Sequence, residues 1–289
     1  MKGVILAGGT GSRLWPATKV VSKQLMPIFD KPMIYYPLST LMLAGVREIL
    51  IITTPTDQMH FKSLLGDGTN LGIHIQYEVQ PKPEGLAQAL IISESFLNGD
   101  SCLLILGDNI FHGSGLGHEL INTLPKVGCH VFLYEVANPK QYGVLTLDAN
   151  QSPLSIVEKP QNPDSNLAVT GLYFFDEQAV HFTRKIKPSK RGELEITSLI
   201  NEYLDRKQLT FTKLTRGTAW LDTGSAKSMH DASTYVRVVE ERTGLKIGCI
   251  EEIAWRNRWI SGRQLEVAAL NILGNDYGQY LRRLIENKV

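Results

Sequence analysis

The chain has 289 residues, and its 30 Lys and Arg residues nearly balance its 29 Asp and Glu residues, for a formal net charge of +1. This balance gives no electrostatic argument for a nucleic-acid partner or for an acidic membrane surface. No stretch approaches the roughly 18 consecutive apolar residues that a membrane span requires. The three cysteines lie far apart, which is typical of reduced thiols. We therefore expect a cytoplasmic protein that binds neither nucleic acid nor a membrane.

Short apolar runs alternate with amphipathic segments over the first 110 residues. The runs predict buried strands at 4–7, 49–53, 73–79 and 102–106, and the segments between them predict helices at 37–44, 59–65 and 86–96. Such alternation is typical of a doubly wound, mostly parallel α/β sheet, in which ligands bind beyond the carboxyl ends of the strands. Glycines follow the first of these strands, and Asp108 follows the last.

The pattern changes after residue 130. Shorter strands are predicted at 131–136, 143–147, 154–158 and 169–175, so the sheet is expected to be mixed. Beyond residue 224 the chain is predicted to be mainly helical, at 226–239, 250–255, 262–273 and 277–286. Because no linker-like segment or internal repeat is present, we expect a single domain over residues 1–289 with a helical C-terminal region.

The first strand leads into the sequence LAGGTGSRLWP, a glycine-rich turn. Such a turn allows backbone N–H groups to converge on phosphate oxygens. No Gly-Lys-Ser/Thr follows, so the turn is not a Walker A loop. A dinucleotide-binding fingerprint would need glycine in place of Leu14, although Asp30 stands near the position of its ribose-binding acid. Arg13 and Lys23 supply a forked donor and a point charge, which together suit a triphosphate.

Two aspartates, the first of them at a predicted strand end, are candidates for a metal site. Asp108 lies in Gly107-Asp108-Asn109, and Asp222 lies in a Trp-Leu-Asp-Thr-Gly segment. Mg²⁺ is usually held by one or two carboxylates together with substrate phosphates. Either aspartate alone is equally typical of a turn. His112 and His118 lack the spacing of a metal site, and we interpret them as non-ligands.

Two further groups of residues are compatible with ligand binding, although each is also compatible with ordinary surface structure. The loop QPKPEG presents the amide of Gln80 on a proline-rich backbone, which suits the edge of a flat base. Acidic side chains that can accept sugar hydroxyls and basic ones that can bind phosphate occur at Glu158, Lys159, Arg191 and Glu193.

The segment GGTGSRLWPATKVVSKQLMPIFDKPMIYYPLSTLMLAG resembles the glucose-1-phosphate thymidylyltransferases of the sugar nucleotidylyltransferase family. The similarity continues in register through QPKPEGLAQAL, LILGDNIFHG, QYGVLTLD, VEKPQNPDSNLAVTGLYFFD, RGELEIT, WLDTG and LKIGCIEEIAWR. It implies a nucleotidyltransferase-like variant of the Rossmann fold that uses Mg²⁺. It also implies a homotetramer that joins glucose 1-phosphate to dTTP and releases pyrophosphate and dTDP-glucose.

The resemblance also assigns roles to single residues. It implies a nucleotide-binding half at 1–130, a sugar-phosphate-binding half at 131–224 and subunit contacts at 225–289. The catalytic residues would be Arg13, Lys23, Asp108 and Asp222, with the metal on the two aspartates. The nucleotide would be bound by Leu6, Gly8, Gly9, Gly11, Gln24, Gln80 and Gly85. The sugar phosphate would be bound by Asn109, Gly143, Glu158, Lys159, Gly171, Arg191 and Glu193. A second, regulatory nucleotide site would involve His112, Gly113, Cys249, Glu252 and Arg256, with His112 standing where family members often have tyrosine.

Three alternatives stay open at this point. Within the same class, the base can be uracil or cytosine and the sugar galactose or mannose. The fold also occurs in non-catalytic subunits that sense sugar nucleotides, but the loss of Arg13, Lys23 or Asp108 expected of such a subunit is not seen. The third alternative, a nicotinamide oxidoreductase, is disfavoured by Leu14.

Overall fold

The computed structural model describes residues 1–9, 11–272 and 274–287, and for residue 287 the backbone only. The strands are β1 Lys2–Ala7, β2 Pro27–Ile28, β3 Lys31–Pro32, β4 Glu48–Thr53, β5 His74–Val79, β6 Cys102–Leu106, β7 Asn109–His112, β8 Cys129–Glu135, β9 Gly143–Leu147, β10 Pro153–Glu158, β11 Leu167–Phe175, β12 Leu209–Lys213 and β13 Ala219–Asp222. The α-helices are α1 Tyr35–Leu43, α2 Gln58–Leu65, α3 Gln88–Ile92, α4 Glu94–Leu97, α5 Leu116–Thr123, α6 Ala179–Thr183, α7 Ile196–Asp205, α8 Ala226–Thr243, α9 Ile250–Arg256, α10 Gly262–Asn271 and α11 Asp276–Asn287. None of the helices in these ranges is long and apolar enough to cross a membrane.

A nine-stranded mixed sheet forms the centre of the molecule. Its strand order is β10-β9-β11-β6-β1-β4-β5, and β8 pairs with both β11 and β12. Strands β6, β1, β4 and β5 are mutually parallel, whereas β11 runs antiparallel to β6, β8 and β9. The predicted mixed α/β sheet with a helical C-terminal region is therefore confirmed.

Helices cover both faces of the sheet. Successive side chains of a strand point to opposite faces, so a strand covered on both faces contributes to two buried clusters. In β1, Ile5 and Ala7 belong to one buried cluster, which includes side chains from α1, α2, α5, α9, α10 and α11. Val4 and Leu6 belong to the other, which includes side chains from α3, α4, α6 and α7. The continuous apolar runs of the parallel strands follow from burial on both faces.

Several elements differ from those that the sequence predicts. The predicted helix at 86–96 is two short helices that meet at Ser93, whose hydroxyl donates to the carbonyl of Leu90 (3.1 Å). Helix α8 continues to Thr243, where Gly244 ends it. Helix α10 ends at Asn271, and its predicted end at Leu273 lies outside the described residues. The short strands β7 and β13 and the helices α5 and α7 were not predicted.

A buried carboxylate joins two strands of the central sheet to a helix. Asp176 directly follows β11 and is 2% exposed. Its carboxylate accepts hydrogen bonds from the backbone N–H of Gly128 (2.8 Å), from the hydroxyl of Tyr203 in α7 (2.6 Å) and from the backbone N–H of Gln178 (3.1 Å). The carboxylate therefore connects the start of β8, the end of β11 and helix α7.

We expect Asp176→Ala to lower the free energy of unfolding by about 3 kcal/mol or more, because each buried donor left unpaired costs about 1–3 kcal/mol. Denaturation by urea measures this change. The matched control is Asp164→Ala, since Asp164 is exposed, and we expect it to change stability by no more than about 0.5 kcal/mol. Equal stability of the two variants would contradict the structural role of Asp176.

Candidate active site

A cavity of about 560 Å³ opens beyond the carboxyl ends of β1 and β6 and extends to β9, β10 and β11. All four predicted catalytic residues line it, and so do all seven predicted sugar-phosphate residues. Of the predicted nucleotide residues, the cavity is lined by Leu6, Gly9, Gln24, Gln80 and Gly85. The structure therefore brings most of the predicted site residues together in one cavity.

Gly8 and Gly11 do not line the cavity but shape the loop that does. A Cβ atom on Gly8 would lie 2.3 Å from the Gln80 Oε1 atom, so a larger residue would displace that amide. Gly11, at φ +60°, begins the turn Ser12–Leu14, which carries Arg13. The Arg13 guanidinium lies over Gly224, where a Cβ atom would approach Nη2 to 2.9 Å. The loop thus places one exposed cation beside the segment that follows Asp222.

Lys23 and Asp108 form a partly buried ion pair on the floor of the cavity. The second oxygen of Asp108 accepts a hydrogen bond from Asn109 Nδ2 (3.0 Å). Burial alone would raise the pKa of Asp108, but the charge of Lys23 and these hydrogen bonds hold the pKa below its usual value. Asp108 is therefore ionised at neutral pH.

A two-stranded ladder brings Asp222 to Asp108. Strand β13 pairs with β7 so that Asp222 lies opposite Asn109, and both the backbone N–H and the hydroxyl of Thr223 donate to the carbonyl of Asp108 (3.1 and 2.7 Å). Burial, and then repulsion from Asp108, raise the pKa of Asp222 to about 6, although Lys23 and Arg13 act in the opposite direction. The second carboxylate therefore carries negative charge that the nearby cations do not fully compensate.

This pair of carboxylates fits a hard divalent cation. The described part of the chain contains no cluster of three or more His, Cys, Asp or Glu side chains that could hold a metal. Mg²⁺ does not need such a cage, because substrate phosphates and waters complete its coordination. His112 lies outside the cavity lining, and its Nδ1 atom forms a hydrogen bond with the Tyr235 hydroxyl (2.7 Å).

Two amide side chains line the cavity near the glycine loop. Gln80 is 4% exposed, and its Nε2 donates to Gln88 Oε1 (2.7 Å). Gln24 is also buried, and its Oε1 accepts from the hydroxyl of Ser22 (2.6 Å). Gly85 packs closely against the backbone of Leu194. Each of these two predicted nucleotide-binding amides is thus held by a neighbour and also lines the cavity.

The sugar end of the cavity is built by β9 and β10. Their antiparallel register puts Glu158 opposite Gly143, and the next residue, Lys159, adopts a left-handed backbone conformation at φ +44°. Lys159 Nζ lies 3.5 Å from Glu158 Oε1. Burial raises the pKa of Glu158, and the charges of Lys159 and Arg191 partly offset this effect. The strained backbone at Lys159 is of the kind that accumulates at functional sites.

The structure adds detail to two of the predicted sugar-phosphate residues. The Arg191 guanidinium donates to both oxygens of Glu195 (2.8 and 2.9 Å) and lies 3.3 Å from Glu193, so carboxylates already neutralise its charge. The Oδ1 atom of Asn109 accepts from Trp220 Nε1 (2.6 Å) and from the Gly171 N–H (3.2 Å). Asn109 therefore orients Asp108 from a fixed position, whatever contact it makes with a sugar.

Sequence reasoning assigned no role to several residues that line the cavity: Gln141, Tyr142, Val169, Tyr173, Glu195, Thr197 and Trp220. Tyr142 and Trp220 pack ring against ring, with centroids 5.0 Å apart. Both lie within segments that carry the family resemblance, and that position is a usable signal. Val169 and Tyr173 belong to a strand that is buried throughout, so their pattern indicates only a core strand.

The five residues of the predicted regulatory site lie outside the lining of this cavity. Cys249 is 1% exposed and belongs to the hydrophobic core, where burial raises the pKa of its thiol well above the usual value. All three cysteines are buried free thiols. Glu252 accepts hydrogen bonds from Arg256 Nε (2.7 Å) and from the Tyr280 hydroxyl (2.5 Å). The regulatory site stays a prediction.

Comparison with known proteins gives concordant matches. Residues 2–238 match the model of the family described as nucleotidyl transferase. A glucose-1-phosphate thymidylyltransferase of Neisseria meningitidis is 54% identical over 287 residues, which cover 99% of this chain and 100% of the relative. One from Mycolicibacterium smegmatis is 50% identical over 288 residues, which cover the full length of both chains.

Solved structures agree with these relatives. A Bacillus anthracis structure described as a glucose-1-phosphate thymidylyltransferase in complex with sucrose is 41% identical, with a TM-score of 0.76, and the match covers 82% of this chain and 95% of that one. A UDP-glucose pyrophosphorylase complexed with UDP-glucose is 25% identical with a TM-score of 0.73, and the match covers 82% of this chain and 98% of that one. These matches do not support the nicotinamide oxidoreductase alternative. The chain belongs to the nucleotidyl transferase family and, within it, to the glucose-1-phosphate thymidylyltransferases.

Proposed function

We propose that the protein transfers the thymidylyl group of dTTP to glucose 1-phosphate, giving dTDP-glucose and pyrophosphate. The cavity carries the proposal, because Arg13, Lys23, Asp108 and Asp222 line one part of it and Glu158 and Lys159 another. In a single in-line displacement, the phosphate oxygen of the sugar phosphate attacks the α-phosphorus and pyrophosphate leaves on the opposite side. No nucleophilic side chain is needed, since this phosphate is ionised at neutral pH.

The protein's contribution is positioning and charge stabilisation, as in other phosphoryl transfers. Arg13 neutralises the β- and γ-phosphates, and its exposed position beside Gly224 supports this role. Lys23 binds the α-phosphate once the substrate replaces Asp108 as the partner of its ammonium group. Lys159 binds the phosphate of the incoming sugar.

Asp108 and Asp222 would hold Mg²⁺, which would withdraw charge from the α-phosphate when bound. The depressed pKa of Asp108 keeps one ligand ionised, and Asn109 fixes its orientation. The raised pKa of Asp222 supports the same proposal, since a cation at this position would relieve the repulsion between the two carboxylates.

We also infer that the protein works in the cytoplasm as a single nucleotidyltransferase unit and assembles as a homotetramer. Buried free cysteines support a reducing environment. Exposed apolar side chains in the C-terminal region support subunit contacts there: Val238, Leu245, Val267 and Leu270. Feedback by a downstream dTDP-sugar at a second nucleotide site rests on the resemblance alone, and calorimetry that found one nucleotide site per subunit would exclude it.

The reaction is tested by measuring pyrophosphate release from dTTP and each of several hexose 1-phosphates in the presence of Mg²⁺. Glucose 1-phosphate is expected to give dTDP-glucose. If dTTP reacts with none of the hexose 1-phosphates, the proposal is wrong.

We expect Arg13→Ala to lower kcat by roughly 10²–10³, since the loss of one preorganised donor costs about 2.7–4 kcal/mol of transition-state stabilisation. Asp108→Asn should lower kcat by at least the same factor and should weaken the dependence of the reaction on Mg²⁺. The control is Lys19→Ala, because Lys19 is exposed near the same loop and does not line the cavity. A folded Arg13 variant that kept more than about half of the wild-type kcat would contradict the assignment.

We expect Mg²⁺ affinity to rise with pH up to about 6 and then to level off, because the proton on Asp222 competes with the cation below its pKa. Calorimetric titration of the substrate-free protein with Mg²⁺ should show about tenfold weaker binding at pH 5 than at pH 7.5. In Asp222→Asn this dependence should disappear. Equal wild-type affinity at the two pH values would refute the role of Asp222 as a metal ligand.

We expect dTTP and UTP to react and CTP to be disfavoured at least about tenfold, since each unsatisfied buried group costs about 1–3 kcal/mol. UTP should have the lower kcat/KM of the two, because a missing methyl group is worth about 1–3 kcal/mol. Gln80→Glu should lose activity with dTTP and with UTP to the same extent, since the substitution removes the amide donor and turns a carboxylate towards Gln88. The measurement is kcat/KM for the three nucleotides in both proteins. Equal wild-type values for CTP and dTTP would disprove base recognition by Gln80.

A further inference from the structure

We propose that Glu84 and Gln88 fix the orientation of the Gln80 amide and thereby select bases that carry an N3–H group. These residues form a hydrogen-bonded chain, defined here as the Glu84–Gln88–Gln80 relay. Glu84 and Gln88 are positioning residues that act through Gln80 and do not line the cavity themselves. The inference rests on the proposed function, in which Gln80 contacts the base.

The orientation of Gln88 is fixed at both ends of its amide. Its Nε2 donates to Glu84 Oε2 (2.8 Å), and its Oε1 accepts from the backbone N–H of Glu84 (3.2 Å). An ionised carboxylate can only accept and a backbone N–H can only donate. A flipped Gln88 amide would therefore break both hydrogen bonds.

The orientation of Gln88 dictates that of Gln80. Gln88 Oε1 can only accept, so the Gln80 atom 2.7 Å from it must be the Nε2 donor. A flipped Gln80 would place two oxygens in contact. The backbone of Gln80 is also fixed, since its N–H donates to the carbonyl of Thr53 (2.8 Å), so the side chain cannot easily withdraw.

This orientation leaves the carbonyl oxygen of Gln80 for a ligand. Within the described ranges, no hydrogen bond reaches Gln80 Oε1, and this atom is not among the fully buried side-chain atoms that lack a partner. Gln80 lines the cavity, and the absence of a side chain on Gly8 makes room for Oε1. The site thus presents an acceptor. Thymine and uracil offer a donor at N3, whereas cytosine offers a second acceptor and is repelled.

The start of the relay is held by the segment just before α7. The backbone N–H of Leu194 donates to the carbonyl of Glu84 (2.7 Å), and the N–H of Ala87 donates to the carbonyl of Leu194 (3.1 Å). The backbone donor that fixes Gln88 is therefore anchored to the segment just before α7. The relay does not depend on the exposed Glu84 carboxylate alone.

The test compares two variants of similar size at Gln88. Gln88→Met removes the acceptor, so the Gln80 amide is free to rotate, and we expect the ratio of kcat/KM for dTTP to that for dCTP to fall about tenfold. Gln88→Glu keeps an oxygen that can only accept from Gln80 Nε2, and the exposed Glu84 carboxylate can turn into solvent away from the new charge, so this variant should retain most of the wild-type ratio. If Gln88 had a purely structural role, Gln88→Met would lower kcat/KM for dTTP and for dCTP equally and leave their ratio unchanged.

A binding measurement separates this inference from the proposed reaction. Calorimetry with dTDP and dCDP gives the same base preference without turnover. A protein that turned over no substrate but lost its dTDP preference in Gln88→Met alone would refute the reaction and support the relay. The relay is overturned if the Gln88→Met ratio matches the wild type, if Gln88→Glu loses the ratio as fully as Gln88→Met does, or if the folded wild type binds the two diphosphates equally.

Discussion

The short ladder between β7 and β13 is the contact on which the rest of the site depends. It holds Asp222 beside Asp108, with Thr223 donating twice to the Asp108 carbonyl. Two carboxylates held this way repel each other, and burial together with this repulsion raises the pKa of Asp222. The protein maintains this unfavourable arrangement because many hydrogen bonds elsewhere fix the backbone, and a bound cation would relieve it.

Two of the cations that line the cavity are already paired with carboxylates. Lys23 neutralises Asp108, and Arg191 is held by Glu193 and Glu195. An arginine bound to both oxygens of one carboxylate is pre-oriented and loses little entropy when it meets a phosphate. Arg13, by contrast, is exposed over Gly224, which supports its proposed role at the leaving pyrophosphate.

The amide groups of the site acquire a defined direction only from their neighbours. Asn109 has its oxygen fixed by Trp220 and Gly171, so its nitrogen faces Asp108. Gln80 has its nitrogen fixed by Gln88. A carboxamide can present either a donor or an acceptor, and the surrounding hydrogen bonds decide which one a substrate meets.

The parallel strands, the glycine loop and the chemical types of the proposed catalytic residues follow from the sequence alone. These features are local: apolar runs report burial of a strand, and glycine next to a strand end reports a close backbone approach. The tertiary structure decided the pairing of β7 with β13, the partners of Arg191, the direction of Gln80 and the burial of Cys249. The reason is distance along the chain. Lys23 and Asp108 are 85 positions apart, and Asn109 and Trp220 are 111 apart, so no local pattern records their contact. Only the tertiary structure, such as the pairing of β7 with β13, brings such residues together.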